Sequence, residues 1–118
     1  MKVTLTGVSD PAQPGPYTPV TNGDRLVAAK FSITGVSGTF SSDVFIDASL
    51  VGSDEQTYQA TPLPVNGCTS FKSGTYSVTP GVTSVGCAAF EVPTAVHVAK
   101  IQWGGFLNSG IATWTVGG

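Results

Sequence analysis

Charge is what this chain has least of. Only 10% of its 118 residues are Asp, Glu, Lys or Arg, against roughly 25% in an average soluble domain. The five basic residues are scattered at positions 2, 25, 30, 72 and 100. They cannot form the continuous basic surface that follows a phosphate backbone, which excludes nucleic acid as an expected partner. No run of about 18 apolar residues exists, so no helix of the sequence is expected to span a membrane. Good helix formers are sparse, and no window holds apolar residues at i, i+3, i+4 and i+7 over three turns, which argues against a helical domain. Two cysteines and one distant histidine do not have the spacing of zinc ligands. Neither a charged n-region nor an apolar h-region follows Met1. Met1 leads straight into Lys2-Val3-Thr4-Leu5-Thr6; the expectation is a natural leader already removed, with a genuine cytoplasmic N-terminus as the alternative.

What the chain does have is turn and strand chemistry. Gly (15) and Pro (8) are plentiful, with many Ser and Thr, a composition of turns and strands. Val, Leu, Ile and Phe make up about a quarter of the residues, above the roughly one fifth below which chains fail to build a core. One domain spanning 1–118 is expected, with net charge −2 and a pI near 4.9. Alternation is clearest at 25–34, where Val27, Ala29, Phe31 and Ile33 share one face and Ala28, Lys30, Ser32 and Thr34 the other. Asn22-Gly23-Asp24 launches that strand as a turn.

Residues 2–8 read as a strand with Val3 and Leu5 inward. Pro11, Pro14, Pro16 and Pro19 then make a loop or edge crossing up to Thr21. Strands are predicted at 44–51 and 56–60 around a turn at Gly52-Ser53-Asp54-Glu55. Residues 61–73 are irregular. Further strands follow at 74–78, 83–92, 95–103 and 111–116, with Pro80-Gly81 as a turn and 104–110 as a loop. About eight short strands with frequent turns mean an antiparallel sandwich or barrel. The sandwich is preferred, because the Pro-rich crossing suits a passage from sheet to sheet. The expected core is Val27, Phe31, Ile33, Leu50, Phe90, Ile101 and Trp114.

Cys87 sits on the 83–92 strand in the parity opposite to Gly86, Ala88, Phe90 and Val92. It therefore faces outward, where a Cys68–Cys87 disulfide could pin the long irregular segment. Closing a loop of about 20 residues is worth about 3 kcal/mol in the chain-entropy model.

Catalytic motifs are missing: there is no G-x-S-x-G elbow, H-E-x-x-H or phosphate loop. His97 is the single imidazole, placed mid-strand, and a catalytic role would need a nucleophile and an orienting group beside it. Asp43, Asp47, Asp54 and Glu55 flank one strand pair and are the candidates for a Ca²⁺ site, in a spacing that matches no calcium loop. Aromatics exceed what so small a core needs. Tyr17, Tyr58, Tyr76, Trp103 and Phe106 are candidates for an exposed surface that stacks on a glycan or forms a protein hot spot. Trp103 leads them, because Gly104-Gly105 would let a partner come close.

Four stretches carry a resemblance: R-L-V-A-A-K-F-S-I (25–33), L-V-G-S-D-E-Q-T-Y (50–58), P-G-V-T-S-V-G-C-A-A-F-E-V-P (80–93) and V-A-K-I-Q-W (98–103). They resemble a bacterial domain of unknown function found in exported lipoproteins and secreted proteins, sometimes labelled as telomeric-repeat-binding. It is similar to a secreted immunogenic protein family of mycobacteria. The resemblance implies an immunoglobulin-like antiparallel β-sandwich and export, secreted or lipid-anchored, and it brings no catalytic residues and no cofactor. The chain lacks the family's lipobox, and its Pro-rich segment at 10–19 is its own. The expected function is a non-enzymatic binding or antigen-like module of the cell envelope, monomeric or weakly dimeric, whose partner is an envelope protein or a glycan. A hydrolase or metal-dependent enzyme with residues on loops, and a purely structural surface domain, are the alternatives.

Overall fold

In the computed structural model, residues 2–13, 20, 22–61, 68, 69, 71, 75–104 and 112–116 are described. Among the described residues nine strands and one helical turn follow in order: β1 (Lys2–Ala12), β2 (Asp24–Thr34), β3 (Phe40–Asp43), α1 (Val44–Asp47), β4 (Ala48–Gly52), β5 (Thr57–Gln59), β6 (Thr75–Val78), β7 (Thr83–Pro93), β8 (Val98–Trp103) and β9 (Ala112–Thr115). One sheet has the order β1-β2-β7, a second β5-β4-β8-β9, and β3 and β6 form a two-stranded ribbon. All strand pairs are antiparallel. The fold is the all-β, immunoglobulin-like sandwich expected from the sequence.

β2 and β7 form its spine, pairing without a register shift from Asp24↔Pro93 to Thr34↔Thr83. Alternation turns Val27, Ala29, Phe31 and Ile33 of β2 and Ala88, Phe90 and Val92 of β7 into the core, where they meet Leu50, Val98 and Ile101 from the facing sheet. Large and small residues alternate across the ladder: Phe31 stands opposite Gly86, and Phe90 opposite Val27. The space at Gly86 belongs to Phe71, since a Cβ there would lie 2.7 Å from the ring's Cγ.

The turns behave as their residues dictate. Gly23 and Gly81 adopt φ of 91° and 83°, a region open to glycine at little cost. Three expectations need correction. Residues 44–47, rich in β-formers, make the helical turn α1 instead of a strand, because this turn takes both Val44 and Asp47 into the interior, each 1% exposed. β3 lies in a stretch where no strand was expected; its Ser41, Ser42 and Asp43 carry little strand preference, and pairing with β6 supplies it. Pro11 does not end the first strand: β1 runs to Ala12, with a register shift between Ser9 and Ala12. β1 is an edge strand, where a missing N–H costs no ladder bond. Pro14, Pro16 and Pro19 lie outside the described residues.

The outer face of the β1-β2-β7 sheet holds a second, smaller apolar cluster of Ala12, Leu26, Ala28 and Ala89, with Val20 and Cys68 packed against it. Cys68 and Cys87 form a disulfide, with a Cα–Cα distance of 6.0 Å. Beside it the described residues 61, 68 and 69 lie along β7 as a strap: Thr61 N–H donates to Ala89 O (2.7 Å), and Cys87 N–H donates to Thr69 O (2.9 Å). The outward thiol read from strand parity therefore ties position 68 to β7.

Candidate functional site

Two places gather the residues that the sequence singled out. The first is internal. Trp103 ends β8 in the same parity as Ile101, and both face inward. Its ring lies 4.7 Å from Phe31, 5.5 Å from Tyr76 and 6.3 Å from Phe71, centroid to centroid. Trp103 is 2% exposed and Tyr76 4%. Neither is a surface platform; this corrects the expectation for both, and the cause is strand parity, which outweighs the adjoining glycines. Trp114 shows the reverse. It touches Phe31 at 5.8 Å but is only partly buried, because β9 is an edge strand. Tyr17 and Phe106 lie outside the described residues.

Asp47 joins this internal group, a residue whose burial the sequence did not signal. The Tyr76 hydroxyl donates to its Oδ2 at 2.8 Å, and Gly104 N–H donates to its backbone carbonyl at 2.9 Å. A buried carboxylate needs such donors. Trp103 Nε1 is buried with no hydrogen-bond partner among the described residues.

The second place is one end of the sandwich, where the loops 22–24, 52–56 and 93–97 meet. Backbone bonds knit them together. Thr94 N–H donates to Gly23 O (3.0 Å), Ser53 N–H to His97 O (2.8 Å), and His97 N–H to Ser53 Oγ (3.0 Å). Arg25 adds a clamp: Nε and Nη2 donate to the two carboxylate oxygens of Asp10 at 2.6 and 3.2 Å, and Nη1 to Pro93 O at 2.7 Å. A forked pair of this kind fixes geometry as well as charge, and it ties β1, β2 and β7 at this end.

The turn between β4 and β5 is self-contained. Asp54 Oδ1 accepts the Gln56 N–H (3.2 Å) and Oδ2 accepts the Tyr58 hydroxyl (2.7 Å). This is the physical content of D-x-Q-x-Y: the aspartate closes the turn, and the tyrosine two residues past the glutamine locks it. The Tyr58 hydroxyl holds the Asp54 carboxyl below its ordinary range, and Asp54 in return raises the Tyr58 phenol. Glu55 has φ of 65°, a left-handed conformation unusual for a residue with a side chain. Across the end, desolvation and then a shared hydrogen bond and repulsion with Glu91 raise the Asp24 carboxyl.

No three His, Cys, Asp or Glu side chains converge on a metal-sized site among the described residues. Asp43, Asp47, Asp54 and Glu55 therefore do not assemble into the calcium site considered above; Asp47 is turned into the core and Asp54 into its own turn. His97 is exposed, and its backbone N–H and C=O both bond to Ser53. Cys87 is disulfide-bonded and cannot serve it as a nucleophile.

The fold and its two polar groupings define a disulfide-pinned immunoglobulin-like β-sandwich whose loops are braced at one end. No protein-family model matches the chain, and no curated protein matches it in sequence. Among solved structures it is similar to MPT63, a secreted protein from Mycobacterium tuberculosis. The likeness has a TM-score of 0.63 and 16% sequence identity, over 98% of this chain and 80% of that one. At that identity the likeness is one of fold.

Proposed function

We propose that this chain is a non-enzymatic, extracytoplasmic interaction module that binds a protein partner through the braced loop end. The observation that carries the reading is the rigidity of that end: three loops held by mutual backbone bonds and the Arg25 clamp present Glu55, His97 and the rim of Tyr58. A preorganised loop surface loses little freedom on binding. Asp24, Asp54, Glu55 and Glu91 make this end acidic, while the charge of Arg25 is taken up by Asp10, so the surface suits a basic partner and a salt-sensitive encounter. A glycan is the weaker reading. Stacking needs a flat exposed ring, and Tyr58 is half-buried with its hydroxyl engaged.

Location outside the cytoplasm is supported by the disulfide, which persists in oxidising compartments, and by the fold shared with a secreted protein. The test is chemical-shift mapping of the labelled protein against purified envelope proteins and soluble peptidoglycan fragments. Shifts confined to residues 22–24, 53–58 and 94–97, weakened by salt and by Glu55→Lys, are expected with a protein. Perturbations elsewhere, or glycan-induced shifts at this end, would overturn the assignment.

A further inference from the structure

Two sheet edges lie at one flank of the sandwich. β7 packs over β4 and β5, and Phe31 of the central strand β2 touches Trp103 of β8 and Trp114 of β9. β1 and β9 therefore share the opposite flank, where Val3, Leu5, Val8, Trp114 and Val116 are only partly buried. Among the described residues no strand pairs with the outer edge of β1. An open edge presents unmatched N–H and C=O groups, a template for another strand.

The pattern along β1 selects what that strand is. Positions 3, 5 and 8 are half-buried, and positions 2, 4, 6, 7 and 9 are exposed. The break in alternation falls at the register shift between Leu5 and Gly7, since one extra residue reverses strand parity. With this reversal the strand reads almost the same from either end. Laid antiparallel against a copy of itself, Val3 stands opposite Val8, Thr4 opposite Gly7, and Lys2 opposite Ser9. On either side of the axis inward residues meet inward and outward meet outward, as cross-strand pairs require; at the axis, where the register shift falls, half-buried Leu5 faces exposed Thr6. A two-fold contact demands this kind of self-complementarity. Charge agrees: Lys2 marks one end and Asp10 the other, and the antiparallel arrangement carries each Lys2 toward Asp10 of the second copy. Asp10 remains 34% exposed while it holds Arg25. Pro11 and the second register shift end the pairing beyond Ser9.

We propose that β1 is a homotypic docking edge. A second copy of this chain adds its own β1 antiparallel, about a two-fold axis between Leu5 and Thr6, and joins two three-stranded sheets into one of six strands. The contact covers the outer margin of Val3, Leu5 and Val8, and it leaves the braced loop end to its own partner.

Sedimentation equilibrium from micromolar to millimolar concentration tests this. The apparent mass is expected to rise from 12.0 kDa toward twice that value. Thr6 is exposed, and its hydroxyl donates only to Lys30 O. Thr6→Lys and Thr6→Glu each set like charges across the axis and are expected to weaken association at least tenfold. An equimolar mixture of the two recovers it, and Thr6→Val, which loses the same hydroxyl without adding charge, associates like the wild type. Thermal melts confirm that each variant is folded. Hydrogen exchange on the wild type supplies a check free of substitutions: protection that rises with concentration should fall on the amides of β1. A wild type fixed at 12.0 kDa, charge variants that associate unchanged, a mixture that does not recover, or protection rising on other strands would each overturn the proposal.

Discussion

Adding one methyl group at Gly86 probes how the strap beside β7 is held. The new Cβ would lie 2.7 and 2.8 Å from Cγ and Cδ2 of Phe71, and 2.9 Å from the Phe71 backbone nitrogen. The ring alone could swing away, but the nitrogen could not. It follows Cys68 and Thr69, which are tied to Cys87 by the disulfide and by a backbone bond. Gly86 has no positive φ, so Ala in an unstrained site would gain about 0.4–1 kcal/mol by restricting the unfolded chain. Overpacking costs about 1–3 kcal/mol, which leaves Gly86→Ala less stable by roughly 1–2 kcal/mol on these two principles combined. Phe71→Ala alone should cost about 3–5 kcal/mol, as for other buried Phe truncations, since Phe71 is 5% exposed. It also removes the two ring contacts of the new methyl, while the backbone nitrogen of residue 71 stays. In the Phe71→Ala background Gly86→Ala should therefore cost less than in the wild type without becoming neutral, and the double-mutant cycle should show a coupling of about 1 kcal/mol. Urea unfolding followed by tryptophan fluorescence measures all four corners. Additive effects, or a Gly86→Ala protein as stable as the wild type, would refute the reasoning.

The remaining predictions concern the disulfide, the acidic end and the tryptophans. Replacing both cysteines with serine should lower unfolding free energy by about 3 kcal/mol, and alkylation of the native protein should find no free thiol until reductant is added. Asp24 has a folded pKa raised by desolvation and by Glu91, so its ionised form opposes folding once pH has risen through that raised value. The penalty is absent below the unfolded value near ~3.9. Asp24→Asn should be more stable than wild type at neutral pH, with the gain gone at about pH 3; a gain independent of pH would contradict this. Asp54 has the opposite sign: the Tyr58 hydroxyl lowers its pKa, so its contribution is present above ~3.9 and lost as pH falls through the lowered value. In Tyr58→Phe the Asp54 carboxyl should titrate closer to the ordinary value, as read by carboxyl NMR. Single-tryptophan variants should separate by acrylamide quenching: Trp114, left by Trp103→Phe, is accessible, and Trp103, left by Trp114→Phe, is shielded.

Much of this architecture is legible in the sequence where one signal dominates. The alternation at 25–34 placed β2 within a residue, because a core strand between two others obeys a strict period of two. Parity also put Cys87 on the outer face, and the turn residues at 23 and 81 marked the reversals. Legibility failed where two signals conflict. Trp103 shares parity with Ile101, a core residue, yet the glycines after it suggested exposure; parity was the stronger evidence. Val44, Phe45 and Ile46 read as strand, and the fold bends them into a helical turn that buries Asp47 beside Tyr76. A buried carboxylate whose donor is 29 residues away leaves no local trace. The braced loop end was legible in part. Asp54, Glu55, Tyr58 and His97 were each singled out, but the clamp from Arg25 to Asp10 and Pro93 joins three strands and is visible only once they are assembled.

The unbroken β2–β7 ladder has a consequence for the order in which this chain can fold. Its partners run from positions 24–34 to positions 83–93, so the longest ladder cannot begin until most of the chain has been synthesised. Until then β2 has no inner neighbour, and Phe31 and Ile33 have no core to enter. Pairing at this separation carries a high contact order, which places folding in the millisecond-to-second range rather than microseconds. The β1–β2 pair is complete in sequence early, but the core closes only around a spine whose second half arrives late.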